Sequence, residues 1–213
     1  MIGGAQVEGG FGYDVSAAGD VNGDGLADLL VGAPYEDGLK PNSGKAYIIW
    51  GGERLSDQVL TTELGERLHG VITCPTEDCK VGTLYNTRGL GDVNGDGWDD
   101  IAVGAVGYGT QSVTNRGAGA LFFGGEGALV GETSIELADA FFLGTRADDK
   151  LGALGSGGDL DGDGFDELLL GAFEAQVDPE FEEQDTGRAY LFWGYGRRPM
   201  GVESSIMELA APR

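Results

Sequence analysis

A nine-residue segment rich in Asp and Gly occurs three times in this chain and constrains its fold more than any other feature. The copies span residues 20–28, 92–100 and 159–167. Each copy has side-chain oxygens at its positions 1, 3, 5 and 9, and glycine at position 6, where a sharp turn is required. A single cluster of this kind is also typical of a solvated turn. Three copies, each followed by an apolar run, favour a repeated cation-binding loop.

The spacing of these oxygens predicts one calcium site in each loop. Ca²⁺ takes about six to eight oxygen ligands, and a backbone carbonyl at position 7 adds to the four side chains. Water completes the shell. The predicted ligands of three Ca²⁺ ions are Asp20, Asn22, Asp24, the Leu26 carbonyl and Asp28; Asp92, Asn94, Asp96, the Trp98 carbonyl and Asp100; and Asp159, Asp161, Asp163, the Phe165 carbonyl and Glu167.

The residues that follow each loop exclude an EF-hand. An EF-hand loop carries a bidentate Glu at position 12 and lies between two helices. Position 12 is Val31, Val103 or Leu170 in the three copies, within short apolar runs that end at a Gly-Ala pair. Runs of this kind are typical of β-strands, so each loop is predicted to join two strands.

Further strand-like segments surround each loop in a constant order. A first strand is predicted to begin at Phe11-Gly12, Val81-Gly82 and Leu151-Gly152. A third strand-like segment is predicted at residues 44–51, 117–124 and 187–194. In the second repeat the chain continues through residues 134–137 to a predicted outer, fourth strand at 141–144. Each repeat therefore predicts several short strands in the same order.

This order of elements resembles the FG-GAP repeat of integrin α subunits and many bacterial surface proteins. Phe11-Gly12 and Gly32-Ala33-Pro34 match both halves of that name, whereas the second and third repeats lack the phenylalanine and the proline but keep the calcium ligands. The resemblance covers nearly the whole chain. It implies an all-β fold of β-propeller blades with four antiparallel strands each. The chain would be a single propeller segment of three blades, at about residues 4–71, 72–144 and 145–213.

Three blades do not close a ring, because β-propellers typically have about four to eight. A second copy would complete a six-bladed, two-fold ring, or sequence outside this chain would complete a longer propeller. Residues 1–3 stand where the end of a fourth strand would precede the first repeat, and residues 205–209 match the stretch before a fourth strand. Because both ends fall at the same phase of the repeat, we expect self-association, with residues 1–3 of one copy beside residues 190–193 of another.

The acidic composition limits the partners of the chain. The formal net charge is −23, with 36 acidic and 13 basic side chains, which argues against nucleic acid and anionic membranes. Ten of the carboxylates are predicted calcium ligands, so bound Ca²⁺ would relieve their mutual repulsion. No apolar stretch is long enough to span a membrane, and the first residues do not resemble a signal peptide. We expect an extracellular or cell-surface protein whose signal sequence lies outside this chain.

The two cysteines predict a local disulfide. Cys74 and Cys79 enclose a short polar segment with a proline, which suits a bond formed in an oxidising compartment. Two free thiols are the alternative. A zinc site would require more ligands than these cysteines and His69, the only histidine, provide.

In the family, partners commonly bind to loops on the face opposite the calcium loops. Here these are residues 35–43, 106–116 and 173–186, together with 74–80 and 146–150. We expect a noncatalytic, calcium-stabilised adhesion module with a protein or glycan ligand. The propeller part of a carbohydrate-active enzyme and a structural spacer are the alternatives. No catalytic residue is predicted.

Residues 178–185 form an acidic run that is predicted to be solvated, and Trp50, Trp193 and Tyr190 are predicted to pack between blades.

Overall fold

The computed structural model describes residues 2–52, 59–60, 68–176 and 187–194. The fold is all-β, and these residues contain no α-helix. In chain order the strands are β1 (Ile2–Gly3), β2 (Asp14–Gly19), β3 (Asp28–Ala33), β4 (Lys45–Ile49), β5 (Val59–Leu60), β6 (Leu68–Thr73), β7 (Thr87–Gly91), β8 (Asp100–Ala105), β9 (Ala118–Phe122), β10 (Gly131–Ser134), β11 (Ala140–Leu143), β12 (Leu151–Gly158), β13 (Glu167–Ala172) and β14 (Arg188–Phe192).

The second repeat forms the predicted four-stranded antiparallel sheet. Its strand order is β7-β8-β9-β11, and β11 occupies the outer position predicted for residues 141–144. The third repeat forms β12-β13-β14 within the described residues. The stretch at 205–209 and the acidic run at 178–185 lie outside the described residues.

The first blade contains a fifth strand that the sequence did not predict. Strand β10 of the second repeat lies parallel to β6, with Gly131 opposite Gly70 and Ser134 opposite Thr73. A single 3₁₀ turn at Ile135–Leu137 follows, capped by the Ser134 hydroxyl, which accepts the Glu136 N–H. Ile135 is buried in the core between the first two blades, and this burial holds β10 against its neighbour. The second repeat thus covers the outer edge of the first blade.

The first residues of the chain repeat this arrangement. Strand β1 pairs in parallel with β5, as β6 pairs with β10. Ile2 and Gly3 therefore stand in the position of a fourth strand's end, as the sequence predicted. Their pairing with a second copy stays a prediction.

The predicted start of the first strand is wrong in two repeats. Strand β2 begins at Asp14 and β7 at Thr87, whereas Phe11-Gly12 and Val81-Gly82 lie before them. Gly12 and Gly82 have φ angles of +88° and +79°, a conformation that interrupts an extended strand. In the third repeat β12 does begin at Leu151, with a bulge at its start.

The core lies between neighbouring blades. Leu30 and Ile48 of the first blade pack with Ile101 and Val103 of the second, and Leu121 of the second packs in the cluster that contains Leu168, Leu170 and Phe192 of the third. The first strands β2, β7 and β12 lie side by side, so the blades are arranged radially, as in a propeller.

The three aromatic residues predicted to pack between blades differ in their burial. Trp50 packs against the core of the first two blades and Tyr190 against that of the last two, which confirms both predictions. Trp193 is 39% exposed on the face where the chain has no further described blade, so its packing between blades stays a prediction. It alternates with buried Phe192 and lies on the side of the third blade that faces away from the second.

Candidate calcium-binding loops and the opposite face

Each of the three predicted loops connects the first strand of a blade to the second. Position 1 follows the end of the first strand, and position 9 (Asp28, Asp100 or Glu167) opens the second strand. The glycines at position 6, Gly25, Gly97 and Gly164, have φ angles of +86°, +94° and +95°. This left-handed conformation favours glycine and provides the sharp turn that the sequence predicted.

Backbone amides hold the oxygens of positions 1, 3 and 5 together. In the first loop the Asp24 and Gly25 N–H groups donate to Asp20 at 2.9 Å, and the Asp24 N–H also donates to the Asn22 side-chain oxygen at 2.9 Å. The Leu26 N–H donates to Asp24 at 2.8 Å. The same bonds recur in the second and third loops.

The third loop gathers three carboxylates on the surface. Oxygens of Asp159, Asp161 and Asp163 all lie within 4.8 Å of one another, and all three side chains are exposed. The salt bridges found among the described residues involve none of the loop carboxylates. Carboxylate and carbonyl oxygens suit hard cations such as Ca²⁺. The donor set of this loop therefore fits a divalent cation.

The carboxylates at position 9 have a second role that sequence reasoning missed. They are fully buried, and each accepts one N–H from position 2 of its own loop and one from the glycine that follows the third strand. Asp28 accepts from Val21 at 2.9 Å and Gly51 at 2.8 Å, and Asp100 accepts from Val93 and Gly124 at 2.9 Å. Glu167, the partner of Leu160 and Gly194, lies outside the triad of the third loop. Ligation by position 9 stays a prediction.

Burial and crowding of charge disfavour the ionised form of Asp28 and Asp100. Burial raises the pKa of Asp100 to about 7, and the nearby charges of Asp96 and Asp92 add to this shift. The N–H bonds from Gly124 and Val93 act in the opposite direction. Burial, followed by the charges of its own loop, also raises the pKa of Asp28. A bound cation would favour the ionised carboxylates.

The predicted binding loops lie at the other end of the strands. Residues 35–43 and 106–116 connect the second and third strands, whereas 173–186 is described only through residue 176. Residues 74–80 and 146–150 follow fourth strands. Backbone bonds join neighbouring loops: Asp78 N–H to Pro41 O at 3.2 Å, and Asp148 N–H to Thr114 O at 2.9 Å. These loops form one connected surface.

A polar cleft of about 500 Å³ lies on this face. The Cys74–Cys79 disulfide, which confirms the sequence prediction, closes the loop that forms one wall. Residues 106–116 form the other wall. The lining residues are Thr76, Glu77, Asp78, Gly107, Gly109, Thr110, Gln111, Thr114 and Asn115.

Radially packed antiparallel blades, each with an acidic loop between its first and second strands, define a class of propeller-type repeat proteins. The family model of the FG-GAP repeat matches residues 11–49, 89–122 and 151–192, just over half of the chain. The chain belongs to the FG-GAP repeat family.

The relatives include integrin α subunits and an enzyme. The chain is 34% identical to integrin alpha-5 of Xenopus laevis over 184 residues, which cover 80% of this chain and 15% of the relative. It is 35% identical to integrin alpha-PS2 of Drosophila melanogaster over 182 residues, 82% of this chain and 12% of the relative. It is 31% identical to phosphatidylinositol-glycan-specific phospholipase D of Rattus norvegicus over 160 residues, 73% of this chain and 18% of the relative. The chain thus spans less than a fifth of the length of these relatives.

Among the described residues, no helical segment is long and apolar enough to cross a membrane.

Proposed function

We propose that this chain is a calcium-stabilised, noncatalytic interaction module of an extracellular or cell-surface protein. The observation that carries the proposal is the triplicate loop, in which backbone N–H groups gather the oxygens of positions 1, 3 and 5 around one point. In this proposal the backbone carbonyl at position 7 and the carboxylate at position 9 complete the ligand set of each loop. Three Ca²⁺ ions, one per loop, would offset six of the 23 net negative charges.

The polar cleft is the ligand-binding surface in this proposal. A disulfide on one wall and backbone bonds between neighbouring loops keep the cleft preformed, which lowers the entropic cost of binding. Its lining offers hydroxyl, amide and carboxylate groups such as Thr110, Gln111 and Asp78. These groups suit the hydroxyls of a glycan or the polar side chains of a protein.

A binding screen tests the proposed function. The purified chain is applied to immobilised glycans and extracellular matrix proteins, with Ca²⁺ and with excess chelator. We expect calcium-dependent binding to at least one ligand, weakened by replacing Gln111 and Asn115 with Ala. Leu137→Ala, at an exposed residue outside the cleft, is the control and should bind normally. Binding that persists unchanged in the double variant would contradict the assigned surface.

The propeller part of an enzyme is a second candidate, favoured by the match to a phospholipase D. The carbohydrate-active enzyme considered from the sequence belongs to the same alternative. Turnover of phosphatidylinositol-glycan or glycan substrates by the purified chain would favour catalysis over binding. A stable, calcium-loaded protein without ligand or turnover would favour a structural spacer.

Self-association is the second part of the proposal, because the third blade exposes a face that is buried elsewhere. Leu169 and Leu191 form a cross-strand pair and are 36% and 39% exposed. The equivalent pairs in the earlier blades, Leu30 with Ile48 and Ala102 with Leu121, are buried against the next blade. On the first blade, Leu29 is 46% exposed, whereas its equivalents Ile101 and Leu168 are buried. The two exposed faces are thus the two halves of one interblade contact.

The strands at the two ends of the three-blade segment, β1 and β14, also complement each other. Among the described residues β14 pairs only with β13, and β1 pairs only with β5. In the first blade the fourth strand β6 pairs with the third strand β4 on one side and with β10 on the other. Strand β1 corresponds to the fourth strand β6, and β14 corresponds to the third strand β4. The free edge of β1 therefore suits pairing with β14 of a second copy. Two copies would then form the six-bladed ring.

A further inference from the structure

The three acidic loops contact one another in series. Asp99, at position 8 of the second loop, accepts the N–H of Asp20 at 2.7 Å, and its own N–H donates to the Asp20 carbonyl at 3.3 Å. Asp20 is position 1 of the first loop. A residue outside the predicted ligand set of one loop therefore holds the first ligand of the preceding loop.

A related contact joins the third loop to the second. The Asp166 N–H donates to the Asp92 carbonyl at 3.3 Å, and the Asp166 carboxylate lies against Gly91, the residue before Asp92. A β-carbon on Gly91, the residue before the second loop, would lie 1.8 Å from an Asp166 oxygen. A β-carbon on Gly19, the residue before the first loop, would lie 2.2 Å from an Asp99 oxygen. Glycine thus permits the position-8 aspartate of one loop to approach the preceding loop closely at both loop-to-loop junctions.

Aromatic rings at position 7 add a second contact at each junction. A β-carbon on Gly23 would lie 2.2 Å from the Trp98 ring nitrogen, and one on Gly95 would lie 2.2 Å from the Phe165 ring. Both glycines are position 4 of the preceding loop. Leu26, at position 7 of the first loop, is 47% exposed, and no earlier loop among the described residues lies beside it.

We propose that Trp98 with Asp99, and Phe165 with Asp166, are positioning residues that couple the calcium sites of neighbouring loops. The inference rests on the proposed calcium binding. The Trp98 carbonyl is a predicted ligand of the second site, while its ring and the adjacent Asp99 contact the first loop. A cation that orders the second loop therefore also fixes Asp20, and each site raises the affinity of its neighbour. This effect is reciprocal by thermodynamic linkage.

Site-resolved titration tests the coupling. The N–H groups of Gly25, Gly97 and Gly164 donate to the position-1 carboxylates of their own loops, so their amide NMR signals report each site separately. In Asp96→Ala, which disables the second loop, we expect the calcium midpoint of Gly25 to rise about fivefold or more, the lower end of typical site-to-site coupling. Asp163→Ala removes the same charge one loop further away, and should raise the Gly97 midpoint more than that of Gly25.

Asp99→Ala then tests the contact itself. Position 8 of the first loop is Ala27, so the loop accommodates alanine there. This substitution should raise the Gly25 midpoint in the wild-type background and much less in the Asp96→Ala background, because the coupling is already lost. Asp99→Asn, which retains an acceptor oxygen, should have a smaller effect. A Gly25 midpoint that stays within about twofold in Asp96→Ala would overturn the coupling but leave calcium binding intact. If none of the three glycines responds to Ca²⁺, the calcium proposal itself fails.

Discussion

Glu36 is a buried carboxylate in the first of the opposite-face loops. One of its oxygens accepts the Tyr47 hydroxyl and lies 3.7 Å from the Lys45 amine. The other oxygen has no hydrogen-bond partner among the described residues, and the side chain is almost fully buried. A buried carboxylate with few donors depends strongly on each one, because its desolvation is not otherwise compensated.

Tyr47→Phe should therefore destabilise the protein. The change removes a donor to Glu36 and keeps the ring, with an expected cost of about 1–3 kcal/mol in the free energy of unfolding. Urea denaturation measures this cost. Tyr85→Phe, at an exposed ring, is the control and should cost little. Equal stability of the two variants would show that the Tyr47 hydroxyl is not needed.

Stability should also fall in alkaline solution. Burial and the adjacent Glu36 carboxylate raise the pKa of Tyr47 above its usual value. Burial and the adjacent Glu136 carboxylate do the same for the pKa of Tyr108. The unfolded chain would lose these protons at about pH 10, whereas the folded protein keeps them. The contribution of these groups to the unfolding free energy should thus be constant below about pH 10 and decrease above it. Tyr47→Phe should flatten the decrease, and an unchanged slope would contradict the assignment.

At this scale the sequence predicted residue chemistry better than residue contacts. The oxygen spacing identified the loop residues because calcium ligation requires specific atoms at specific intervals. It did not identify Asp99 and Asp166, because their partners lie on another repeat. It also missed the burial of Asp28, Asp100 and Glu167 beside the end of the third strand.

Among the connecting elements, the disulfide loop has the clearest stability role. Replacing both cysteines by alanine releases a short loop, so we expect a loss of less than about 3 kcal/mol in unfolding free energy. Chemical denaturation of the double variant measures it, and reduced wild-type protein should behave similarly. Cysteines that both react with a thiol reagent in the native, nonreduced protein would contradict the bond.

Strand order within a repeat followed from local patterns, but strand exchange between repeats did not. Short apolar runs bounded by glycine predicted β8, β9 and β11, which pair with strands of their own repeat. Strand β10 pairs with β6, about 60 residues earlier, and its sequence Gly-Glu-Thr-Ser has no strand signature. The pairing is set by the packing of Ile135 between two blades.

On the scale of the whole molecule, the exposed face of the third blade determines the expected assembly. Light scattering should give about twice the 22.1 kDa chain mass. Leu191→Asp places a charge in the proposed contact and should yield the single-chain mass or aggregates. Leu137→Asp, at an exposed position on the second repeat, should leave the assembly unchanged. A well-folded 22.1 kDa wild-type species at micromolar concentration would contradict self-association.

The calcium dependence of thermal stability tests the central claim most directly. If the loops have dissociation constants of roughly 10⁻⁴–10⁻³ M, millimolar Ca²⁺ contributes about 0.4–1.4 kcal/mol per site, or about 1–4 kcal/mol in total. Each kcal/mol corresponds to about 2–4 °C in a domain of this size. The account predicts a melting temperature several degrees lower in excess EDTA than in millimolar Ca²⁺, restored when Ca²⁺ is returned. An identical melting temperature in both solutions would contradict it.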